Sequence, residues 1–253
     1  MTLTIQEWHN RFISQAHWTQ SLRNYLFQIV RIEKCKQVLE VGCGSGAILR
    51  ELPQFTQANI FGVDINLGFL QLAMRNIPDA HLLHADAYHL PLPPQSFDLT
   101  FCHFLLLWLT DPYKAITEMI RVTRPGGYLC ILAEPDYGGR IDFPDELSIL
   151  GQKQTIALRK QGANPEIGRS IRGLLTNAGL TNVVSGVLGG QWEPSFDVNE
   201  WISEWKVLEA DLAEDQVFQD IKEKQKAQDK IAWAGGTRIL FVPTFYGWGV
   251  IPD

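Results

Sequence analysis

The sequence predicts an α/β fold: a mostly parallel sheet of seven strands with helices on both faces. Three observations carry this. From residue 36 to 135, apolar runs of strand length alternate with stretches whose apolar residues recur every three or four positions, the pattern of strands and amphipathic helices in turn. The first strand-like run, in "VLEVGCGSGAIL" (Val38 to Leu49), passes straight into glycines and then toward a helix. Helix-start and turn signals also fall between the runs: Asn66, Asp111-Pro112 and "RPGG". Sheets of this kind bind ligands beyond the carboxyl ends of their strands.

Residues 5–31 read as helical, with Trp8, Phe12, Ile13, Leu22, Tyr25, Leu26 and Ile29 at three- and four-residue steps. "QVLEV" at 37–41 is the first strand, and a helix is expected from about Ser45. "NIFGV" at 59–63 is the second strand, and Asn66 suits the N-cap of a helix carrying Leu67, Leu70, Leu72 and Ala73. Residues 81–85 and 97–104 are the third and fourth strands. Asp111 as N-cap and Pro112 in the first turn start another helix. "RPGG", Arg124 to Gly127, turns the chain into a fifth strand at 128–134. Beyond it the pattern predicts helices at 144–162 and 168–179, a strand at 181–188, a long amphipathic helix from Asn199, and a last strand from Arg238 with an irregularity at Pro243.

The chain has 253 residues, 45% of them apolar, enough for one sizeable core. A single domain is expected: a helical cap at 1–35, a ligand-binding core at 36–135, and at 136–253 the rest of the sheet with inserted helices on the side of a second substrate. The net charge of −6 and the absence of an undiluted Lys/Arg run argue against nucleic acid as a partner. Cys35, Cys43, Cys102 and Cys130 form no C-x-x-C pair, which reads as reduced, cytoplasmic usage. The polar start "MTLTIQEWHNRF" lacks a signal-peptide core, and "FLLLWL" is too short to span a bilayer.

On spacing alone, Gly42, Gly44 and Ala47 satisfy G-x-G-x-x-G/A, with the acidic Asp64 about 20 positions on. A dinucleotide and S-adenosylmethionine both remain open at that point, because a carboxylate ending the second strand can accept ribose hydroxyls in either. Gly46 and Glu40 extend the unit to E-x-G-x-G-x-G. That unit resembles the first motif of the class I S-adenosylmethionine-dependent methyltransferases, and is similar to their type 11 subgroup. "GVDI" (62–65), "ADAYHLPLPPQSFDLTFCHFLLLWLTDP" (85–112) and "RVTRPGGYLCI" (121–131) resemble the later motifs in the same order. The resemblance covers residues 36–135 and implies a Rossmann-like three-layer sandwich with helical additions forming a lid. No Tyr-x-x-x-Lys pair of the short-chain reductases occurs.

The resemblance implies S-adenosylmethionine as cofactor and assigns roles along the strand ends. Gly42, Cys43, Gly44 and Gly46 would let the backbone approach methionine and ribose where a Cβ would obstruct. The helix expected from Ser45 would offer its N-terminal N–H groups to a carboxylate. Glu40 would sit near the methionine ammonium, Asp64 would accept the ribose hydroxyls, and Ile65 would pack on adenine. Asp86 would accept the adenine amino group with the Ala87 N–H beside it, and His103 and Phe104 would touch the methionine part through the backbone. Arg23 either clamps the methionine carboxylate or is an ordinary surface arginine; Asp64 and Asp86 can also be read as helix caps. In "HLLHADAYH", His81 and His84 fall on opposite strand faces, so no metal site is expected.

The fourth strand is followed by "CHFLL" rather than Asn- or Asp-Pro-Pro-Tyr, a departure from the methylases of adenine and of glutamine amides. The acceptor is expected to be a small molecule. "AEPDYGGRIDFP" (133–144) leaves the fifth strand carrying Glu134, Asp136, Tyr137 and Arg140. It reads either as an acceptor-contacting loop, with Asp136 or Tyr137 as base or orienter and His103 as a further catalytic candidate, or as a turn held by Gly138 and Gly139. Five of the eight tryptophans follow residue 190 and could wall an acceptor site or pack a helical layer. Two other functions stay open: a non-catalytic cofactor-binding module, with the helix from Asn199 as a homodimer surface, and an oxidoreductase that would bind NAD or NADP.

Overall fold

The computed structural model describes residues 3–190, 192 and 196–253. Five strands run parallel: β1 (Gln37–Val41), β2 (Asn59–Asp64), β3 (His81–His84), β4 (Phe97–Cys102) and β5 (Thr123–Pro135). Four more follow: β6 (Ile141–Phe143), β7 (Thr181–Leu188), β8 (Ile239–Phe241) and β9 (Thr244–Val250). The seven-stranded sheet has the order β3-β2-β1-β4-β5-β9-β7, with β9 antiparallel to both its neighbours. The chain steps outward from β1 to β3, then crosses back to β4. That reversal opens a crevice between the carboxyl ends of β1 and β4, where ligands of such sheets bind.

Both faces are covered, and side-chain alternation decides which residue meets which layer. Leu39, Val41, Leu129 and Ile131 point to the layer of α4 (Pro112–Val122) and α6 (Ile171–Asn177). Val38, Cys130 and Leu132 point to the opposite layer, which contains α2 (Gln20–Ile29) and α3 (Leu67–Asn76). Burying each such aliphatic side chain contributes roughly 1.5–3 kcal/mol, so these two layers hold the sheet.

Several predicted elements have different bounds, each for an identifiable reason. The helical stretch expected at 5–31 is divided into α1 (Ile5–Trp18) and α2 at Thr19, whose hydroxyl bonds back to Gln15 O at 3.0 Å. No α-helix starts at Ser45. Gly46 is left-handed (φ +79°) and Pro53 stands inside the following segment, which forms only a 3₁₀ turn at Leu49–Gln54. The helix-dipole site expected there is therefore absent. β4 ends at Cys102, because Phe104 turns to φ +50°. "RPGG" bulges out within β5 rather than preceding it.

The caps at Asn66 and Asp111 form as expected, accepting the N–H groups of Phe69 and Lys114. The helices expected at 144–162 and 168–179 are shortened to α5 (Ser148–Lys160) and α6. The long helix from Asn199 is two, α7 (Val198–Asp211) and α8 (Gln216–Ala234), with Asp215 capping the second. At Pro243 the chain leaves β8, which pairs only with β6, and enters β9 in the main sheet.

A third core lies between α5, α7 and α8 and contains Trp205, Leu208, Phe218 and Leu150. Buried charges tie it to the β6–β8 ribbon. Asp229 accepts the indole N–H of Trp201 and of Trp205 at 2.7 Å each, and the Nε of Arg238 at 2.7 Å. Arg238 Nη2 donates to Asp142 at 2.6 Å, and Asp142 also accepts from Arg140 Nε at 2.6 Å. Replacing Asp229 with Ala would leave Arg238 with Asp142 alone and strip its Nε and two indole donors of their acceptor. The expected outcome is a loss of about 3–5 kcal/mol, read as a lower urea midpoint; an unchanged midpoint would show that the network does not stabilise the fold.

Candidate active site

The chain leaves β1 through a turn that only glycine tolerates. Gly42 has φ +75°, and a Cβ there would lie 2.8 Å from Leu105 Cδ1, arriving from the end of β4. The amides of Gly42 and Cys43 both donate to Val63 O, at 2.8 and 3.0 Å, and pin the turn to β2. Gly44 and Gly46 are also left-handed. Asp64, at the end of β2, accepts from Gly44 N and Asn66 N, each at 2.7 Å. One carboxylate therefore locks the glycine loop to the start of α3, while burial raises its pKa against those amide bonds. Ile65, beside it, is 68% exposed.

Glu40, the residue two before Gly42, is only 2% exposed, and its Oε2 has no hydrogen-bond partner among the described residues. Burial pushes its pKa well up, opposed chiefly by the Arg23 guanidinium. A buried acceptor left unpaired costs free energy unless a donor reaches it. Asp86 Oδ1 accepts from Tyr88 N at 2.9 Å in a tight turn, and Ala87 is buried beside it.

Arg23 is not a surface residue, for it is 1% exposed. It donates to Ala16 O, to Thr19 Oγ1 at 2.6 Å and to Glu51, which leaves Nε unpartnered. A carboxylate clamp through its terminal nitrogens is therefore already occupied by protein groups. Thr19 Oγ1 also shares a hydrogen bond with His103 Nε2 at 2.9 Å. A line of contacts thus runs from Glu51 through Arg23 and Thr19 to His103, which follows β4. Phe104 N donates to Ala133 O at 2.9 Å, and its ring meets that of His103 edge-on.

The loop after β5 separates into structural and accessible groups. Glu134 is fully buried and accepts the amides of Leu105, Leu106 and Leu107 at 2.8, 2.7 and 3.2 Å. It caps the turn after β4 and is not open to an acceptor; burial raises its pKa to about 8 despite the three amides. Asp136 is held by both nitrogens of an Arg169 fork, at 2.5 and 2.7 Å, and by Gly138 N at 3.0 Å. That pairing corrects its expected role as a base: the carboxylate is committed to holding the loop. Arg140 is bound to Asp142 and Gln154. Tyr137 differs. Its phenol makes no hydrogen bond among the described residues, and it lies near Arg11, Arg140 and Asp211.

α1 roofs this arrangement. Phe12 lies over Gly44, close enough that a Cβ there would be 3.1 Å from its ring, and it packs edge-on against Phe69. His9 Nδ1 meets Ser45 Oγ at 2.7 Å. α7 meets α1 through Arg11–Glu204, Trp18–Glu200 and Lys206–Glu7. Sequence reasoning missed His9, Arg11 and Phe12 as site-lining residues; spacing identifies a helix but not what it covers. Of the late tryptophans, Trp201 and Trp205 pack the third core, while Trp248 contacts Tyr128 on the sheet. His81 stacks on Phe61, and His84 Nε2 meets Ile65 O at 2.9 Å.

Comparison with known proteins gives consistent results. Residues 39–131 match the family profile described as "Methyltransferase domain". An uncharacterized methyltransferase of Schizosaccharomyces pombe is 30% identical over 66% of this chain and 65% of its own length. A demethylmenaquinone methyltransferase of Renibacterium salmoninarum is 31% identical over 47% of the chain and 51% of its own. The chain thus spans between about half and just under two thirds of the length of these curated relatives. Among solved structures, phosphoethanolamine N-methyltransferase 2 of Haemonchus contortus, in complex with phosphomonomethylethanolamine and S-adenosylhomocysteine, superposes with a TM-score of 0.61 at 15% identity. The match covers 95% of this chain and 57% of that one.

Burial and the nearby Arg23 charge depress the pKa of His103 to about 3. The folded value lies below the ordinary one, so the unfolded chain takes up a proton first on acidification. The stability linked to His103 is full above pH ~6.5 and is lost as the pH falls toward 3. In an NMR titration of the native protein, the His103 ring resonances should stay flat from pH 8 to about 4.5. A midpoint near 6.5 would overturn this reading of the site.

Proposed function

We propose that this chain, whose residues 39–131 match the family profile described as "Methyltransferase domain", is an S-adenosylmethionine-dependent methyltransferase that transfers a methyl group to a small-molecule acceptor. The observation that carries the reading is Glu40 Oε2, a buried acceptor without a partner among the described residues, beside a left-handed glycine turn at the sheet's crossover. A methionine ammonium supplies the missing donors, directly or through water. The cofactor supplies a methyl group on a positively charged sulfur.

The chain's own residues then bind and orient. Gly42, Cys43, Gly44 and Gly46 present backbone to the methionine and ribose. Asp64, its position fixed by two amides, accepts the ribose hydroxyls with its remaining lone pairs. Ile65, now largely exposed, packs on adenine, and Asp86 with the Ala87 N–H takes the adenine edge. His103 and Phe104 close the methionine side, while Arg23 positions α2 and Thr19.

In-line displacement needs alignment and exclusion of water more than it needs a base. α1 supplies the cover. Tyr137, whose hydroxyl is uncommitted, orients the acceptor. Burial raises the Tyr137 pKa although the Arg11 and Arg140 charges pull it down, so the phenol acts as a hydrogen-bond donor at neutral pH. The names of relatives acting on demethylmenaquinone and on phosphoethanolamine support a small acceptor. Four free cysteines support a reducing compartment, and no described helix is long and apolar enough to cross a membrane.

Calorimetry tests the cofactor reading. S-Adenosylmethionine and S-adenosylhomocysteine should bind, whereas NAD and NADP should not; failure of both adenosyl compounds would overturn it. Asp64→Ala should weaken S-adenosylhomocysteine by roughly 10- to 150-fold, the worth of charge-assisted bonds of ~1.5–3 kcal/mol. Tyr137→Phe should leave that affinity unchanged. It should lower turnover about tenfold on any small acceptor found by S-adenosylhomocysteine release, as expected for one hydrogen bond of ~1.4 kcal/mol. Binding without turnover across the acceptor panel would favour a non-catalytic module.

A further inference from the structure

Arg11 is 7% exposed on the underside of α1. An arginine cannot shed its charge, so a buried one requires compensation by anions. Among the described residues its guanidinium has one hydrogen bond, from Nη1 to Glu204 Oε1 on α7. The face of the fork lies over the Trp18 ring, 4.5 Å from its centroid. The fork has further N–H donors with no acceptor assigned to them. Planar carboxylates satisfy such donors in pairs.

The surroundings separate the partner that can leave from those that cannot. Glu204 keeps 34% of its side chain exposed, against 8% for Arg11. Two other carboxylates influence Arg11, Glu200 and Asp211. Glu200 accepts the Trp18 indole N–H at 2.6 Å, and Asp211 is held by Gln154 and Gln161 at 3.0 and 3.2 Å. The uncommitted Tyr137 hydroxyl is near enough to the Arg11 guanidinium for the two groups to influence each other electrostatically. A groove of about 630 Å³ between α1 and α7 has among its walls Trp18, whose ring carries the Arg11 guanidinium, and Glu200, Ser203 and Lys206.

We propose that Arg11 is the recognition residue for a carboxylate on the methyl acceptor, and that Glu204 stands in that carboxylate's place when no acceptor is bound. An incoming carboxylate accepts two N–H bonds from the fork, and Glu204, already one-third in water, swings out to solvent. Tyr137 donates to the same acceptor, which is then held at two points. This substrate class rests on the proposed methyl-transfer reading, but the subsite is a separate claim about charge recognition.

The test uses three isosteric probes that differ in charge: benzoate, benzamide and benzamidine. Each is titrated by ligand-detected NMR against the whole protein, first loaded with S-adenosylhomocysteine and then unloaded. Benzoate should bind at least about tenfold tighter than the other two. Arg11→Gln should erase that difference. Glu204→Gln, which removes the competing carboxylate and leaves Arg11 in place, should tighten benzoate several-fold and leave benzamide unchanged. The proposal is overturned if benzamidine binds as well as benzoate, if the preference survives in Arg11→Gln, or if no probe binds in the millimolar range. Failure to load S-adenosylhomocysteine while the unloaded protein still prefers benzoate would strike the cofactor reading alone.

Discussion

The tight exit from β1 is the constraint on which the rest of the site depends. β1 ends where two amides converge on one carbonyl of β2, and Gly42 must turn left-handed within contact of Leu105. Of the two strands beside β1, β2 is next in sequence and β4 is not. The crossover brings the end of β4 against the glycine loop and leaves a crevice open to solvent on one side. Strand alternation turns Glu40 to the α2 side, since Val38, two residues earlier on β1, faces that layer. A carboxyl buried by the geometry of the sheet is thereby left with one oxygen unpartnered among the described residues, and the proposed cofactor would supply its donor.

The core of this arrangement was legible in the sequence because it is local. Strand runs, the Asn66 and Asp111 caps, and the left-handed glycines each follow from a few neighbouring residues, and the sheet's order of pairing then follows from ordinary crossover connections. Where sequence reasoning erred, a tertiary contact or a single backbone angle decided the outcome. Thr19 sits in a good helical pattern, yet its hydroxyl serves Gln15, Arg23 and His103 at once, and the helix breaks there. Gly46 follows a strand as a helix-starting glycine would, yet its positive φ denies the helix.

Charged residues were the least legible. Arg23 in an amphipathic helix looks the same in sequence whether it faces water or the core. Asp136 looked available because its partner, Arg169, is 33 residues away and carries no local signal. Arg11 has partners still further off, on α7. The apolar pattern specifies which face of a helix is buried; it does not specify which ions are buried with it. The partners of Asp136 and Arg11 come from segments after residue 140, in the part of the chain that the network through Asp142, Arg238 and Asp229 ties together.

The break at Thr19 has a mechanical meaning. It is the pivot between a roof helix and a helix rooted in the core, and the same hydroxyl touches the imidazole at the end of β4. A lever ordinarily has its fulcrum far from its load; here the two coincide. Raising α1 would therefore disturb the floor of the site as it uncovers it, and settling α1 would restore both together. Access and alignment become one coordinate, so a half-raised roof cannot leave the reacting groups in register.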